Sequence, residues 1–208
     1  MNIKLFLLFV MTIPVYAQLN VSGFVGINPQ SNFIAKENSD FLDLYWQSGI
    51  VFGAGSEIFV SPSIALSPSV EYAHYKFDKY NLIEARAPEV SLLSTTGKPS
   101  NIWRLFVEAK FFRNITTAIP LYLTTGIGYM NEDFGIIHRT FKDMNEPNLF
   151  TETIEFENST LLVHTLGIGL RWRILPYLFL DLKGQYFTNY NDRWYTSLKC
   201  GIVYTVFK

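Results

Sequence analysis

The sequence predicts an all-β protein: eight antiparallel strands closed into an up-and-down transmembrane β-barrel. Three observations lead there. Hydrophobicity alternates with period two along one segment after another, the signature of strands with two unlike faces. Beyond the N-terminal stretch no run of about 18 apolar residues offers a membrane-spanning helix. The connections between segments alternate between short and long, which a soluble sandwich has no reason to do.

Composition agrees with that class. The 208 residues are 49% hydrophobic and 16% aromatic but only 17% charged, with 17 Lys+Arg against 18 Asp+Glu. A disordered chain would be poor in aromatics and strongly charged. A nucleic-acid binder would need clustered positive charge to neutralise phosphates. One cysteine excludes an intramolecular disulfide scaffold and a cysteine-rich zinc site. Few charges and many rings suit a protein whose outer surface meets lipid.

The elements follow in order. Residues 1–17 pair a basic start, Lys4, with a compact apolar run from Leu5, broken by Pro14 and ended by Val15-Tyr16-Ala17. This is the pattern of a cleaved secretory signal peptide, and the apolar run is too short to span a bilayer. Gln18 then opens a barrel domain over residues 18–208, and no lipid-bearing cysteine stands at the new N-terminus. Strands are expected at Leu19–Asn28, 49–60 and 64–76. Four more alternate more cleanly. Around Ile102, Trp103, Leu105, Val107, Ala109 and Phe111 oppose Arg104, Phe106, Glu108, Lys110 and Phe112. After Pro120, Leu121, Leu123, Thr125, Ile127 and Tyr129 oppose Tyr122, Thr124, Gly126, Gly128 and Met130. Near Leu162, Leu162, His164, Leu166, Ile168, Leu170 and Trp172 oppose Val163, Thr165, Gly167, Gly169, Arg171 and Arg173. From Tyr177, Leu178, Leu180, Leu182 and Tyr186 oppose Phe179, Asp181, Lys183 and Gln185. Trp194–Phe207 completes the eight.

Short connections are expected at 61–63, 114–118 and 174–176, and longer polar ones at 29–46, 78–100 and 131–159, with a shorter fourth at 189–193. In an outer-membrane barrel these are short periplasmic turns and longer extracellular loops. Only closure satisfies the backbone of strands in lipid, so the apolar face points outward and the mixed face fills a narrow interior. Alternation then directs Glu57, Glu71, Glu108 and Asp181 inward, with Arg104, Lys110, Arg171, Lys183 and Lys199. Four acids against five bases imply internal ion pairing, because an unpaired buried charge costs several kcal/mol. Glycines 53, 55, 126, 128, 167, 169 and 201 share that face and leave room for long side chains. Aromatics at strand ends suit interface girdles: Trp46, Phe59, Tyr72, Tyr75, Trp103, Phe111, Tyr129, Trp172, Tyr177, Tyr186, Trp194 and Tyr204. The alternative for these rings is ordinary β-propensity.

With these features the chain resembles the small outer-membrane β-barrel proteins, the eight-stranded OmpA/OmpX-like or porin-family type. The resemblance rests on the signal peptide, on glycine-aromatic segments such as Leu123-Thr124-Thr125-Gly126-Ile127-Gly128-Tyr129, and on the closing strand Gly201-Ile202-Val203-Tyr204-Thr205-Val206-Phe207. It implies a place in the outer membrane of a Gram-negative-type bacterium, export by the general secretory route, and contact with outer-membrane lipid and lipopolysaccharide. It further implies that Phe207, here penultimate before Lys208, acts as a C-terminal signal to the barrel-assembly machinery.

Chemistry is sparse. Some barrels of this kind modify lipids with a histidine, a serine and a carboxylate. His164 falls on the lipid face, His74 near the outer end of its strand, and His138 in the loop at 131–159 beside Asp133 and Asp143. None has an evident nucleophile partner. The same loop carries Glu132, Asp133, Asp143, Glu146, Glu152, Glu155 and Glu157 without the spacing of a calcium loop. Cys200 falls on the lipid face. No cofactor and no metal are expected. The leading expectation is a non-enzymatic envelope scaffold or surface-contact protein whose loop partner the sequence does not name. Alternatives are a narrow pore, a lipid-modifying enzyme, and a secreted barrel holding an apolar ligand.

Overall fold

The computed structural model describes residues 18–29, 48–77, 90–113, 119–133, 135–143, 149–155, 158–189 and 194–207. The expected signal peptide lies outside them. The described residues form eleven strands: β1 (Leu19–Asn28), β2 (Gly49–Ser61), β3 (Ile64–Tyr75), β4 (Val90–Gly97), β5 (Ser100–Arg113), β6 (Leu121–Asp133), β7 (Ile136–Asp143), β8 (Leu149–Glu155), β9 (Ser159–Leu175), β10 (Leu178–Asn189) and β11 (Trp194–Phe207).

Eight of them close an antiparallel barrel in the order β1-β11-β10-β9-β6-β5-β3-β2. With β4, β7 and β8 set aside, every barrel strand neighbours the strand before and after it in the chain. That is an up-and-down meander. Closure comes from β1, which pairs with β2 on one side and with β11 on the other, Gly23 facing Ala54 and Ile202. At one end the hairpins β2–β3 and β9–β10 turn through Pro62-Ser63 and Pro176-Tyr177. Proline suits such positions because its fixed φ pre-forms the turn.

The three remaining strands, ordered β4-β7-β8, lie within segments expected to be long polar loops. They are not a separate unit. Asn101 faces Asp133 between β5 and β6, and four residues further along each strand Gly97 faces Ile137 between β4 and β7. Likewise Glu132 faces Ser159 between β6 and β9, and four residues on Ile136 faces Glu155 between β7 and β8. Three adjacent barrel strands thus run on past the barrel rim as a ribbon whose register is carried across the break and shifts only farther out, between Leu92 and Ser94 of β4. All three break at one height. At that line the Lys98 amide still donates to the Ile136 carbonyl at 3.2 Å, and Gly135 takes a φ of +69°, which glycine adopts without a Cβ penalty.

Alternation sorts the barrel's side chains into lumen and exterior. Outward positions include Val25, Leu105, Ile127, Leu166, Ile168 and Leu198, all exposed. Among the described outward positions between β1 and β11, none from Val21 to Ile27, Trp103 to Phe111, Leu121 to Tyr129 or Leu178 to Tyr186 is Asp, Glu, Lys or Arg. Exposed surface this apolar on every strand is far beyond what a soluble monomer presents.

Candidate functional site

The lumen is the chemically dense part of the molecule. All nine charged residues named from the sequence lie in it and are buried: Glu57, Glu71, Glu108, Asp181, Arg104, Lys110, Arg171, Lys183 and Lys199. They sort into two tiers. In the lower tier Arg171 grips Glu57 with both terminal nitrogens, Nη1 to Oε2 at 2.8 Å and Nη2 to Oε1 at 2.6 Å, and sends Nε to Asp181 Oδ1 at 3.0 Å. Lys110 Nζ also donates to Glu57 Oε1 at 2.6 Å, and Asn20 Nδ2 to Oε2 at 3.0 Å. Tyr122 donates its hydroxyl to Asp181 Oδ2 at 2.7 Å. Such bidentate, fully hydrogen-bonded geometry is what a buried ion pair needs to offset its desolvation.

The upper tier centres on Glu108 and Glu71. Glu108 accepts from Lys183, from Thr124 and Thr165 at 3.1 and 3.0 Å, and from Gln185 at 2.8 Å. Lys199 donates to Glu71 and, at 2.6 Å, to Gln185 Oε1, which joins the two carboxylates into one network. Arg104 lies 3.7 Å from Glu71, donates to the Tyr75 hydroxyl at 3.2 Å, and stacks over Phe187 at 4.6 Å.

One lumen acid lies where the sequence reading does not put it. Glu132, counted with the acidic loop, sits in β6 with no exposed surface and accepts from Tyr195 and, at 2.7 Å, from Ser159. The alternation Thr124, Gly126, Gly128, Met130 simply continues for one more inward position. With Glu132, the described residues of the lumen include five acids and five bases.

Glycines make this filling possible. A Cβ on Gly169 would run into the Tyr122 ring, and one on Gly128 would meet Phe106. The tyrosine therefore lies flat across the neighbouring strand and reaches Asp181. Apolar clusters close both ends of the ionic zone: Phe59, Ala65, Phe112 and Tyr122 below, and Val51, Ile102, Met130, Val163, Phe187 and Tyr195 above. Ile137 of β7 belongs to the upper cluster, so the ribbon continues the plug beyond the rim. A polar cavity beside Ser67, Ser69, Glu71 and Lys199 measures about 30 Å³, the space of one water.

The outer face carries rings at two heights. Tyr72 lies between Phe52 and Trp103, with centroids 5.1 and 4.8 Å away, and Tyr129 and Tyr186 are exposed on the same end of the barrel. Phe111, Trp172, Tyr177, Tyr204 and Phe207 are exposed at the end with the tight turns. Two rings assigned to girdles belong elsewhere: Phe59 and Tyr75 are 3% and 4% exposed and point into the lumen, on the parity of Glu57 and Glu71. Trp46 and the side chain of Trp194 lie outside the described residues. Cys200 is exposed on the outer face.

The ribbon has two unlike faces. Ile137, Arg139 and Phe141 are buried, and Arg139 pairs with Glu152 at 3.6 Å. Burial lowers the Arg139 pKa below its ordinary value, while Glu152 pulls the other way. The opposite face carries His138, which is on a strand rather than in a loop; its Nδ1 lies 3.0 Å from Thr153 Oγ1. His74 Nδ1 lies 2.9 Å from Asn101 Oδ1, which also accepts from Tyr72. Among the described residues no three or more of His, Cys, Asp and Glu are placed to hold a metal.

No family model and no curated protein matches the sequence. Solved structures do match. A major outer membrane protein from Thermus thermophilus superposes with a TM-score of 0.52 at 12% identity, over 91% of this chain and 99% of the other. The outer membrane protein OprG from Pseudomonas aeruginosa gives 0.50 at 11% identity, over 92% and 93%. At such identity the likeness speaks to fold alone, and the fold is that of the small, eight-stranded outer-membrane β-barrels.

Proposed function

We propose that this chain is an integral outer-membrane protein that acts without catalysis, as a sealed scaffold in the envelope that holds its ribbon outside as a contact surface. The observation that carries the reading is the inversion of the barrel: five buried acids and five buried bases inside, an uncharged apolar band outside. Water-soluble barrels that hold apolar ligands have the opposite arrangement. Support for a sealed scaffold rather than a pore comes from the two apolar clusters that bracket the ionic zone. Support for a contact role comes from the ribbon, whose β8 is exposed along nearly its whole length, with Leu149 and Phe150 outermost.

An enzymatic reading would put His74 or His138 to work as a base. Among the described residues their hydrogen-bonding neighbours are the amide of Asn101 and the hydroxyl of Thr153, and neither is a carboxylate that would orient the ring. Partners on this reading are outer-membrane lipid and lipopolysaccharide around the band, and the barrel-assembly machinery at Phe207, which is exposed at the end of β11 where it pairs with Leu19 of β1.

The test compares membrane-extracted protein on a detergent gel, unboiled and boiled, and then records purified protein in planar bilayers. A closed barrel resists detergent until heated, so the unboiled band is expected to migrate apart from the boiled one, with no steady conductance. A stable open conductance would replace the scaffold with a pore. Soluble protein with no heat-dependent shift would end the membrane reading.

A further inference from the structure

On the outer face two recesses lie one above the other along β5, β6 and β9. The lower is an apolar groove of about 750 Å³ that runs from Ala54 of β2 and Val70 of β3 across Leu105, Val107 and Ile127 to Leu162 of β9. The upper, at the line where the ribbon leaves the barrel, is a polar cup of about 460 Å³ lined by Lys98, Asn101, Asp133, Glu155 and Asn158. Asn101 precedes Leu105 by four residues on one strand face, Asp133 follows Tyr129 by four, and Asn158 precedes Leu162 by four. At about 3.3 Å per residue the two recesses stand roughly 13 Å apart along each strand. Trp103, Asn131 and Thr160 form the row between them, Asn131 donating to Thr160 at 3.1 Å. Polar above, amphipathic between and apolar below is the profile of a single lipid leaflet.

The geometry points to a seat for one outer-leaflet glycolipid, its acyl chain in the groove and a hydroxyl-rich sugar headgroup in the cup. This rests on the membrane reading above and adds a ligand class and a place to it. The groove lies within the lipid-facing band, so the occupant of that part is an acyl chain by continuity. The cup's chemistry selects the headgroup. Asn101 spends its amide oxygen on Tyr72 and His74, which leaves its NH₂ as the group offered to the cup. Asp133 keeps one oxygen on the Gly135 amide and offers the other, and Glu155 is exposed beside it. Two carboxylates to one ammonium repel a bare phosphate. Mixed donors and acceptors match sugar hydroxyls, which both give and take hydrogen bonds.

The experiment reconstitutes the full chain in phosphatidylcholine vesicles doped equally with digalactosyl diacylglycerol and phosphatidylglycerol. The barrel is extracted in mild detergent and the co-purifying lipids are quantified by mass spectrometry. The galactolipid is expected to be enriched about fivefold over phosphatidylglycerol, the scale of one or two net polar contacts. The variants Ile127→Trp, which fills the groove, and Glu155→Ala with Asn158→Ala, which strips the cup, should each return the ratio to that of the bilayer while keeping the heat-dependent gel shift. Equal retention of both lipids by the unmodified chain overturns the seat. So does enrichment that survives either variant, or displacement of the lipid by free digalactose, which would make the cup a site for soluble sugar. Loss of the gel shift in the unmodified chain would instead bring down the membrane reading itself.

Discussion

Glu57 shows how one side chain can organise a lumen. It has no exposed surface and answers two cations, Arg171 from a strand across the barrel and Lys110 from a third strand. Glu57→Ala leaves both cations buried without their shared partner. Such a loss costs about 3–5 kcal/mol. It should appear as a lower urea midpoint for the vesicle-embedded barrel, and Lys110→Met on top of it, which removes a cation whose ion pair is with Glu57 while Arg171 keeps Asp181, should restore part of the loss. Gly169→Val tests the packing half of the same arrangement. The new Cβ and methyls displace the Tyr122 ring and with it the hydrogen bond to Asp181. We expect about 1–3 kcal/mol of destabilisation from the overpacking, by the same measurement. A Gly169→Val barrel as stable as the parent would show that the ring has somewhere else to go.

At the scale of elements, the ribbon is the part that local patterns obscured. Its strands are seven or eight residues long and rich in Thr and Ser, and each face of β8 mixes apolar with polar residues, Phe150, Glu152 and Ile154 on one and Leu149, Thr151, Thr153 and Glu155 on the other. Alternation in such a strand carries little hydrophobic contrast, so residues 131–159 present themselves as a polar loop. The strand register is instead inherited from the barrel: β5, β6 and β9 carry their pairing across the break, and a partner in place holds each new residue pair. Gly135 is where the ribbon depends on one residue. Its φ of +69° places a β-branched replacement in a conformation that costs about 1–2 kcal/mol. Gly135→Val is therefore expected to speed hydrogen exchange across β7 and β8 and to leave β10 and β11 unchanged.

For the whole molecule, the decisive property is which side of the sheet faces what. Leu105 is 59% exposed near the middle of the apolar band. If that band lies in hydrocarbon, Leu105→Arg should cost about 2–4 kcal/mol, whereas on a water-facing surface it would be near neutral. Urea unfolding from vesicles gives the number directly. The result also discriminates between the outer-membrane reading and a soluble barrel without reference to any ligand. The lumen offers the complementary argument: among the described residues, the buried charges and the apolar clusters that flank them support the proposed scaffold over a pore.

Much of this architecture is already present in the order of residues. Period two is a local property, so every barrel strand could be located within a few residues, and parity alone placed the nine charges together on one face. Glu132 lies one inward position beyond the apolar alternation, where a polar sequence matches strand and loop alike, and Phe59 and Tyr75 carry rings that suit an interface at positions whose parity is that of Glu57 and Glu71. What the linear order does not contain is distance across the barrel. Arg171 and Glu57 are 114 residues apart, and only closure of β1 onto β11 brings β9 opposite β2. The polar cup is stacked on the apolar groove by the pairing of β5, β6 and β9 in register, which no one of these strands contains by itself. Sequence alone determined the eight barrel strands, their two faces and the grouping of nine charges on one of them. Tertiary structure decided which charges meet, that apolar clusters flank them, and that three strands outlast the barrel, since each of these depends on contacts between segments far apart in the chain.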